Sequence, residues 1–353
     1  MSATARPDAT AVVTDASEVG TVYGHGYFGT VGDGQLTLDR FESVYLLEMG
    51  RVGVVDERQA PIEWSELFRR ATRAEPGFAV RYVVYRDLRQ RGYVVRSSPP
   101  PVSFAVLPRG GVLHKTPSKF WVEALTERLP FDLARLFDLA ERAQGAKKSL
   151  LLALVDEESD LTYYRVRRPV PSGSQEPKLL DAPVDGWLTD DRVVVFDPVG
   201  VETLGRLLSF GSRIGNRLEL SLIEASHLCQ THQLRVRDAR TGRAMPEPRL
   251  VARGRRVEKG FDERLAAYRA MRERRLVVKT GFKYGAHFRA YPRNPDHAHA
   301  RYLVQAVPSD HTAPWPEVAG GVRVAQGVRK EYLMAGVPPD GPVRFLSLER
   351  IRP

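Results

Sequence analysis

Residues 28–48 read FGTVGDGQLTLDRFESVYLLE, and residues 210–229 read FGSRIGNRLELSLIEASHLC. The two stretches start 182 positions apart and share a Phe-Gly opening, a Leu-x-Leu step and a glutamate four residues after that step. Gly29 and Gly211 coincide in this alignment, as do Glu42 and Glu224. This similarity suggests that one fold occurs twice in the chain.

Two further pairs of segments extend the match across both halves of the sequence. YRDLRQRGYVVR at residues 85–96 resembles YRAMRERRLVVK at residues 268–279, and KKSLLLALV at residues 147–155 resembles RKEYLMAGV at residues 329–337. The matches are colinear and keep an offset of 182 or 183 positions. They therefore identify a tandem repeat, with a first and a second copy.

Each copy contains two kinds of pattern. The first part combines a short apolar strand (residues 205–210 in the second copy), a glycine turn, a Leu-x-Leu strand and an amphipathic helix, which predicts a small mixed subdomain. The second part begins with a charged helix over residues 261–274, and strands and helices follow it. This alternation predicts an α/β (α+β) fold, in which a nuclease-like C-terminal subdomain is built on a central mixed sheet.

Composition shifts along the chain predict the domain boundaries. Pro, Ser and Gly are concentrated around residues 170–190, which indicates a surface linker, and the N-terminal residues look disordered. The predicted segments are a flexible tail (1–18), the first N-terminal subdomain (19–80), its inactive nuclease-like partner (81–169), the linker (170–190), the second N-terminal subdomain (191–258) and the catalytic subdomain (259–353).

The composition limits the class of protein. The chain has 353 residues, of which 42% are hydrophobic and 27% charged, as in globular proteins. It shows no apolar run long enough to span a bilayer and no secretory signal, and its single cysteine excludes an internal disulfide framework, so a cytoplasmic location is expected. The net charge of +10 favours a polyanionic partner.

The last quarter of the chain carries three motifs. They are VVKTGFKYGAHFRAY at residues 277–291, HARYLV at residues 299–304 and VRVAQGVRK at residues 322–330. In this order and spacing the segments resemble the tRNA-intron endonuclease family of archaea, and the resemblance covers both copies. It implies a pre-tRNA substrate with a bulge-helix-bulge motif, metal-independent attack of a ribose 2′-OH on the adjacent phosphate, and 2′,3′-cyclic phosphate and 5′-OH ends.

The resemblance implies that Tyr291, His299 and Lys330 form the catalytic triad. A histidine titrates near neutral pH, which suits His299 to protonate the 5′-oxygen leaving group. Lys330 supplies positive charge to the phosphorane-like transition state.

Tyr291 is the implied base, although a tyrosine has an ordinary pKa near 10. Such a role would require nearby cations that lower this pKa. The candidates for this effect are Lys283, Arg289 and Arg293. The alternative is that Tyr291 mainly orients the 2′-OH.

The first copy lacks these residues. Alignment of the repeats places Leu107 opposite Tyr291 and Pro117 opposite His299, and only Lys148 persists opposite Lys330. Neither leucine nor proline can transfer a proton, so the first copy is expected to keep the fold without the chemistry.

Other RNA contacts follow from the resemblance. The family uses two arginines to sandwich an unpaired base, and Arg323 and Arg350 match these positions, with Arg352 as an alternative to Arg350. Guanidinium planes stack well on extruded bases. Lys283 and Arg289 are further candidates for RNA binding.

The first copy also has an acidic hairpin that the second copy lacks. Its sequence DEESD contains Asp156, Glu157, Glu158 and Asp160, whereas the second copy has PPDG at the same place. The resemblance implies that this hairpin enters a basic pocket of a neighbouring unit. Because one chain has one complete triad, we expect a C2 homodimer with two sites.

Two other functions are compatible with parts of the sequence. One is a non-catalytic RNA-binding subunit of a splicing endonuclease, and the other is a metal-dependent nuclease on a related core. No cofactor and no DNA partner are expected. His287, His297 and His299 could suggest a metal site, but their spacing places neighbours on alternate strand faces, and no metal is expected.

Overall fold

The structure is a computed structural model, and it describes residues 1–176, 180–296 and 298–353. The chain divides into two compact units. The first contains Met1–Leu129, Leu139–Arg165 and Ile351–Pro353, and the second contains Pro130–Asp138 and Val166–Arg350. The order of helices and strands is nearly the same in the two copies, which confirms the predicted tandem repeat.

The N-terminal subdomain of the first copy is a small mixed α/β layer. Its elements are β1 (Ser2–Ala5), β2 (Ala11–Val13), α1 (Ala16–Gly24), β3 (Thr30–Gly32), β4 (Gln35–Leu38), α2 (Arg40–Glu48), β5 (Gly53–Val55) and α3 (Trp64–Ala74). The strand order is β3-β4-β2-β1-β5, and the only parallel pair among these described strands is β1 with β5.

The C-terminal subdomain of the first copy has the predicted alternation of helices and strands. Its elements are α4 (Phe78–Gln90), β6 (Val95–Ser97), β7 (Phe104–Val106), β8 (Phe120–Thr126), β9 (Phe131–Asp132), α5 (Leu133–Gly145), β10 (Ser149–Val155) and β11 (Leu161–Arg167). Strands β6, β7 and β8 are antiparallel neighbours, whereas β8 and β10 are parallel, so the sheet is mixed as predicted.

The second copy repeats the first layer. Its elements are β12 (Val184–Leu188), β13 (Arg192–Val195), α6 (Pro198–Gly200) continued by a π-helix (Val201–Leu207), β14 (Ser212–Ile214), β15 (Arg217–Ser221), α7 (Leu222–Gln230), β16 (Leu234–Asp238) and α8 (Glu247–Val257). The order β14-β15-β13-β12-β16 reproduces that of the first copy.

The C-terminal subdomain of the second copy follows. Its elements are α9 (Phe261–Glu273), β17 (Val277–Thr280), a 3-10 turn (Phe282–Tyr284), β18 (Phe288–Tyr291), β19 (Tyr302–Pro308), β20 (Thr312–Ala313), α10 (Trp315–Gly327), β21 (Glu331–Val337) and β22 (Arg344–Ile351). Neighbouring strands run in the order β17-β18-β19-β21-β22, and β19 and β21 are parallel.

The predicted flexible tail over residues 1–18 is wrong. Strand β1 pairs with β2 and β5, and Ala3, Ala5 and Ala11 are buried. The Asp15 side chain then caps α1. The segment looked disordered because its apolar residues are small, yet their alternation is sufficient for an inner strand of a half-buried sheet.

The predicted linker over residues 170–190 is also wrong in part. Strand β12 occupies its end and lies between β13 and β16, and a Cβ at Gly186 would be 2.7 Å from Val193. Upstream, the amide of Gly173 donates to the carbonyl of Arg274 (2.9 Å) and that of Ser174 to the carbonyl of Pro292 (2.7 Å). Residues 177–179 of this predicted linker lie outside the described residues.

The strand predicted at residues 205–210 is wrong as well, because a π-helix covers Val201–Leu207. Leu204 and Leu208 are both buried one helical turn apart. A short apolar run fits a helix or a strand equally well, and here the helical spacing decides.

A buried glutamate joins the two subdomains within each copy. Glu224 forms a capping box with Ser221 at the start of α7, and its other oxygen accepts a hydrogen bond from the Gly211 amide at 2.7 Å. The Gly211 carbonyl in turn accepts from Nζ of Lys279 in β17 at 2.5 Å. We call this arrangement the glutamate lock.

The first copy has the same glutamate lock. Glu42 forms a capping box with Asp39, and Nη1 of Arg96 in β6 contacts both the Glu42 carboxylate (3.0 Å) and the Gly29 carbonyl (2.9 Å). Gly29 has a φ of +76°, and a Cβ there would be 2.6 Å from the Leu36 side chain. Glycine is therefore required at this turn.

The glutamate lock makes the stability of the first copy depend on pH. Burial raises the pKa of Glu42 to about 7, Asp39 acts in the same direction, and Arg96 opposes both. The pKa of Glu42 in the folded chain lies above the unfolded value of 4.5. Protonated Glu42 therefore contributes fully to the free energy of unfolding below pH 4.5, and this contribution is lost as the pH rises through 7.

We therefore expect Glu42→Gln to reduce the fall in thermal midpoint between pH 5 and pH 8, since the amide does not titrate. Glu66→Gln, which changes a partly exposed carboxylate of α3, is the control: its neighbouring arginines lower the pKa of Glu66, so the fall between pH 5 and pH 8 should match that of the wild type. Calorimetric scans at both pH values measure the effect. An unchanged fall in Glu42→Gln would contradict this assignment.

Candidate active site

Three neighbouring strands end at the same edge of the second copy's sheet. Ala290 of β18 pairs with Tyr302 of β19, and Tyr302 pairs with Glu331 of β21. Strand β18 is antiparallel to β19, and β19 is parallel to β21, so the end of β18 lies beside the starts of the other two.

The predicted triad lies at this edge. Tyr291 directly follows Ala290, Lys330 directly precedes Glu331, and His299 lies three residues before Tyr302. The strand register therefore brings together three residues that are up to 39 positions apart in the sequence.

Tyr291 is held by packing. Its side chain is 7% exposed and clusters with Val277 and Ala300, the residue after His299. Burial raises the pKa of Tyr291, and the Arg289 guanidinium, 5.8 Å from the ring centroid, opposes this effect without outweighing it.

A base role for Tyr291 would require cations to lower this pKa, and this condition is not met in the free chain, because the burial of the phenol outweighs the effect of Arg289. Lys283 and Arg293 are exposed to solvent, so their charge is well screened, and the burial of the phenol dominates. Tyr291 is a neutral hydrogen-bonding group in this state.

Lys330 is positioned by the end of α10. Arg329 adopts a left-handed φ of +55°, and the Lys330 amide donates to the Ala325 carbonyl at 2.8 Å, which turns the chain into β21. The ammonium donates to the Val328 carbonyl at 3.2 Å and lies 5.6 Å from the ring centroid of Tyr284. These contacts hold the positive charge at the sheet edge.

His299 is exposed, and no hydrogen bond joins its imidazole to another residue of the described ranges. Its neighbour Ala300 is buried beside Tyr291, so the backbone is fixed while the ring faces solvent. An exposed imidazole is accessible to a bound substrate and can exchange protons with water.

Tyr284 belongs to the site, although the sequence analysis assigned it no role. It contacts the Lys330 ammonium through its ring, and its hydroxyl raises the pKa of Tyr291 electrostatically. The sequence could have indicated this role, because Tyr284 lies in the TGFKYG turn and the first copy has SSPPP there instead.

Among the residues predicted to bind RNA, Arg289 gives the strongest indication that it binds an anion. Its Nε is buried and has no hydrogen-bond partner among the described residues. Lys283 is exposed in the 3-10 turn. Lys283 lies on the β17–β18 connection, and Arg289 lies in β18 two residues before Tyr291.

A cavity of about 270 Å³ lies next to Lys330, and Arg350 and Gln326 are among its lining residues. Gln326 donates to the backbone carbonyl of Arg350 at 3.4 Å. Arg323 is exposed one helical turn before Gln326 on α10. Arg350 thus lines the same cavity as Lys330, Arg323 lies on the helix that supplies Gln326 to it, and Arg352 lies beyond the end of β22.

The acidic hairpin joins β10 to β11. The Asp156 carboxylate accepts hydrogen bonds from the amides of Glu158 (3.0 Å) and Asp160 (2.8 Å), and Ser159 has a φ of +68°. Asp156 therefore shapes the turn, while Glu157, Glu158 and Asp160 are exposed.

The first copy has the same backbone where the second copy has its site. Val106 pairs with Phe120 as Ala290 pairs with Tyr302, which places Leu107 at the position of Tyr291. The Lys148 amide donates to Ala143 at 2.8 Å, and its ammonium donates to the Ser118 carbonyl at 2.6 Å. Next to Ser118, Pro117 occupies the position of His299.

Among the described residues, no group of three His, Cys, Asp or Glu side chains is arranged to hold a metal ion. Nδ1 of His287 accepts the Ala306 amide at 3.1 Å, and burial lowers the pKa of this imidazole to about 4. His297, the third histidine considered, lies outside the described residues. No helix in the described ranges has the length and apolar character needed to cross a membrane.

Comparison with known families matches both copies. The model of the tRNA intron endonuclease N-terminal domain matches residues 8–68 and 184–251, and that of the catalytic C-terminal domain matches residues 78–163 and 261–345. The alternation of the two domains confirms the two-subdomain repeat.

Curated relatives extend over nearly the whole chain. A tRNA-splicing endonuclease of Methanosarcina acetivorans is 34% identical over 348 residues, covering 97% of each chain, and one of Methanococcoides burtonii is 34% identical over 346 residues with the same coverage. A tRNA-splicing endonuclease of Natronomonas pharaonis is 35% identical, and the match covers 95% of this chain and 97% of that relative.

Proposed function

Because the chain belongs to the tRNA-splicing endonuclease family, we propose that it cuts intron-containing pre-tRNA at bulge-helix-bulge splice sites. The ribose 2′-OH attacks the adjacent phosphate and leaves a 2′,3′-cyclic phosphate and a 5′-OH. The observation that carries the proposal is the sheet edge where strand register brings Tyr291, His299 and Lys330 together.

The properties of the three residues support distinct roles. His299, whose imidazole is exposed, gives a proton to the 5′-oxygen as the P–O5′ bond breaks. Lys330 offsets the negative charge that develops on the phosphoryl oxygens. Arg289, with its buried unpaired Nε, adds a second positive charge near Tyr291.

We assign Tyr291 an orienting role. Its raised pKa keeps the phenol neutral, so it hydrogen-bonds the attacking 2′-OH, whose proton leaves to water in this open site. Packing against Val277 and Ala300 fixes the phenol, which allows it to restrict the attack to one geometry.

Incubation of the protein with an intron-containing pre-tRNA in excess chelator tests the reaction. We expect excision with 2′,3′-cyclic phosphate and 5′-OH ends, and His299→Ala should lower the cleavage rate by about 10²–10⁴-fold because general acid catalysis contributes this much. RNA binding should stay near the wild-type value.

The control for this experiment is Pro117→Ala, which alters the equivalent position of the first copy and should leave cleavage unchanged. Each of three results would rule out this mechanism. They are loss of cleavage on chelation, direct formation of 3′-phosphate ends, and a cleavage rate of His299→Ala within tenfold of the wild type.

The cavity beside Lys330 supports a role of Arg350 in holding an unpaired base of the bulge, and we propose that the exposed Arg323 of α10 contacts the same base. One stacked base is worth about 1–3 kcal/mol, so Arg323→Ala and Arg350→Ala should each weaken cleavage about 5- to 150-fold. The rates on pre-tRNA and on a short single strand without a bulge measure this effect.

Arg352→Ala is the matched control and should cleave like the wild type. If Arg352→Ala loses activity and Arg350→Ala does not, the second arginine is misassigned. An equal loss on the short single strand would exclude a role at the bulge.

We further propose that two chains form a C2 homodimer, because one chain supplies one complete site and the substrate has two cleavage sites. The three exposed carboxylates of the acidic hairpin dock into a cleft of about 700 Å³ in the second copy of the other chain. The cleft is lined by three cations and four carboxylates, namely Arg192, Arg264 and Lys279 with Asp191, Glu219, Glu224 and Glu258. Nε of Arg264 is buried without a partner among the described residues, and this is the group that a hairpin carboxylate would pair with.

Replacement of Glu157, Glu158 and Asp160 by Ser should yield folded monomers that do not excise an intron. Asp156 is kept because it forms the turn itself. A control with Asp33, Glu57 and Glu63 replaced by Ser removes the same charge from other exposed positions. Light scattering and cleavage assays decide: a monomeric, active wild type or a dimeric, active hairpin variant would refute the model.

A further inference from the structure

Phe282 presents an aromatic ring to solvent at the tip of the turn between β17 and β18. Its side chain is 85% exposed, more than any other large hydrophobic residue among those described. Exposing a ring of this size forgoes the stabilisation that burial would give, and the ring is available for contact with a ligand.

The turn that carries Phe282 is rigid. The Phe282 amide donates to the Thr280 hydroxyl (3.3 Å), its carbonyl accepts the Gly285 amide (3.1 Å), and the Tyr284 amide donates to the Gly281 carbonyl (2.8 Å). A Cβ at Gly281 would be 2.7 Å from the Ala286 carbonyl, so the two arms of the turn are in close contact. The ring is thus exposed on an ordered backbone.

The same turn reaches the proposed active site. Tyr284, two residues after Phe282, lies 5.6 Å from the Lys330 ammonium and acts electrostatically on Tyr291. Lys283, between the two aromatic residues, is exposed and positively charged. An exposed ring beside a cation and next to the cleavage chemistry has the properties of a nucleobase stacking platform.

The first copy provides an internal comparison. Arg96 occupies the place of Lys279, and the residues that follow, 97–103, read SSPPPVS and contain no aromatic side chain. The copy without Tyr291 and His299 folds with the same strands on both sides of this turn. The ring is therefore not required by the fold.

We propose that Phe282 forms a stacking subsite for an unpaired nucleobase of the bound RNA, next to the scissile phosphate. This inference rests on the proposed function. Stacking is tolerant of base identity because every base has a π-face, so the subsite would favour unpaired over paired nucleotides and would not select a sequence.

The test measures the dissociation constant for bulge-helix-bulge RNA that carries 2′-deoxy residues at the cleavage sites and so cannot be cut. Phe282→Ala should weaken binding about 5- to 150-fold, the range for one lost base–aromatic stack. Phe282→Trp should bind like the wild type, and Phe282→Leu, which keeps apolar area without an aromatic face, should bind like Phe282→Ala.

A series of the same RNA with one abasic bulge position at a time locates the partner base. On one member of the series, wild type and Phe282→Ala should bind equally, because the stack is already absent there. Phe196→Ala removes another exposed ring, at the end of β13, and should not change binding.

Each other outcome overturns the subsite. It is refuted if Phe282→Ala binds the intact RNA like the wild type, if its loss is the same on every abasic RNA, or if Phe282→Leu retains full affinity. A monomeric Phe282→Ala would instead assign the ring to the contact between two chains. If the wild type neither binds nor cuts the RNA, the proposed function itself fails, which is distinct from all of these results.

Discussion

The carboxylate of Glu224 contacts three parts of the second copy at once: the start of α7, the Gly211 turn, and through that turn the Lys279 ammonium of β17. Buried charged groups require partners, and burial lowers the pKa of Lys279 while Glu224 opposes this. The glutamate lock thus fixes β17 against the N-terminal subdomain. Because β17 pairs with β18, it also fixes the strand that ends at Tyr291.

The two copies share the features that the fold requires and differ at the residues proposed for catalysis. Both keep the glutamate lock, the mixed sheet and the left-handed residue before the site lysine, which is Lys147 in one copy and Arg329 in the other. The first copy has lost the side chains at the ends of its strands. Leu107 is buried where the second copy has the buried Tyr291, so an apolar side chain fills this position of the first copy without the phenol.

Much of the architecture could be predicted from sequence, because the repeat supplies two independent readings of each element. The repeat and the mixed sheet followed from aligned segments and are present in the structure, whereas the catalytic roles of Tyr291, His299 and Lys330 stay a prediction from the family resemblance. The N-terminal strands could not be recognised, since Ala3, Ala5 and Ala11 carry too little apolar surface to stand out. The direction of the pKa shift of Tyr291 depends on burial by Ala300 and Val277, which only the register reveals.

The connection between the copies also has a mechanical consequence. Gly173 and Ser174 donate their amides to the carbonyls of Arg274 and Pro292, and Pro292 is the residue after Tyr291. These two hydrogen bonds hold the connection between the copies against the end of β18, the strand that carries Tyr291. We expect insertions upstream of Gly173 to lengthen the connection without moving β18. A deletion there would displace the end of β18 and with it the phenol of Tyr291.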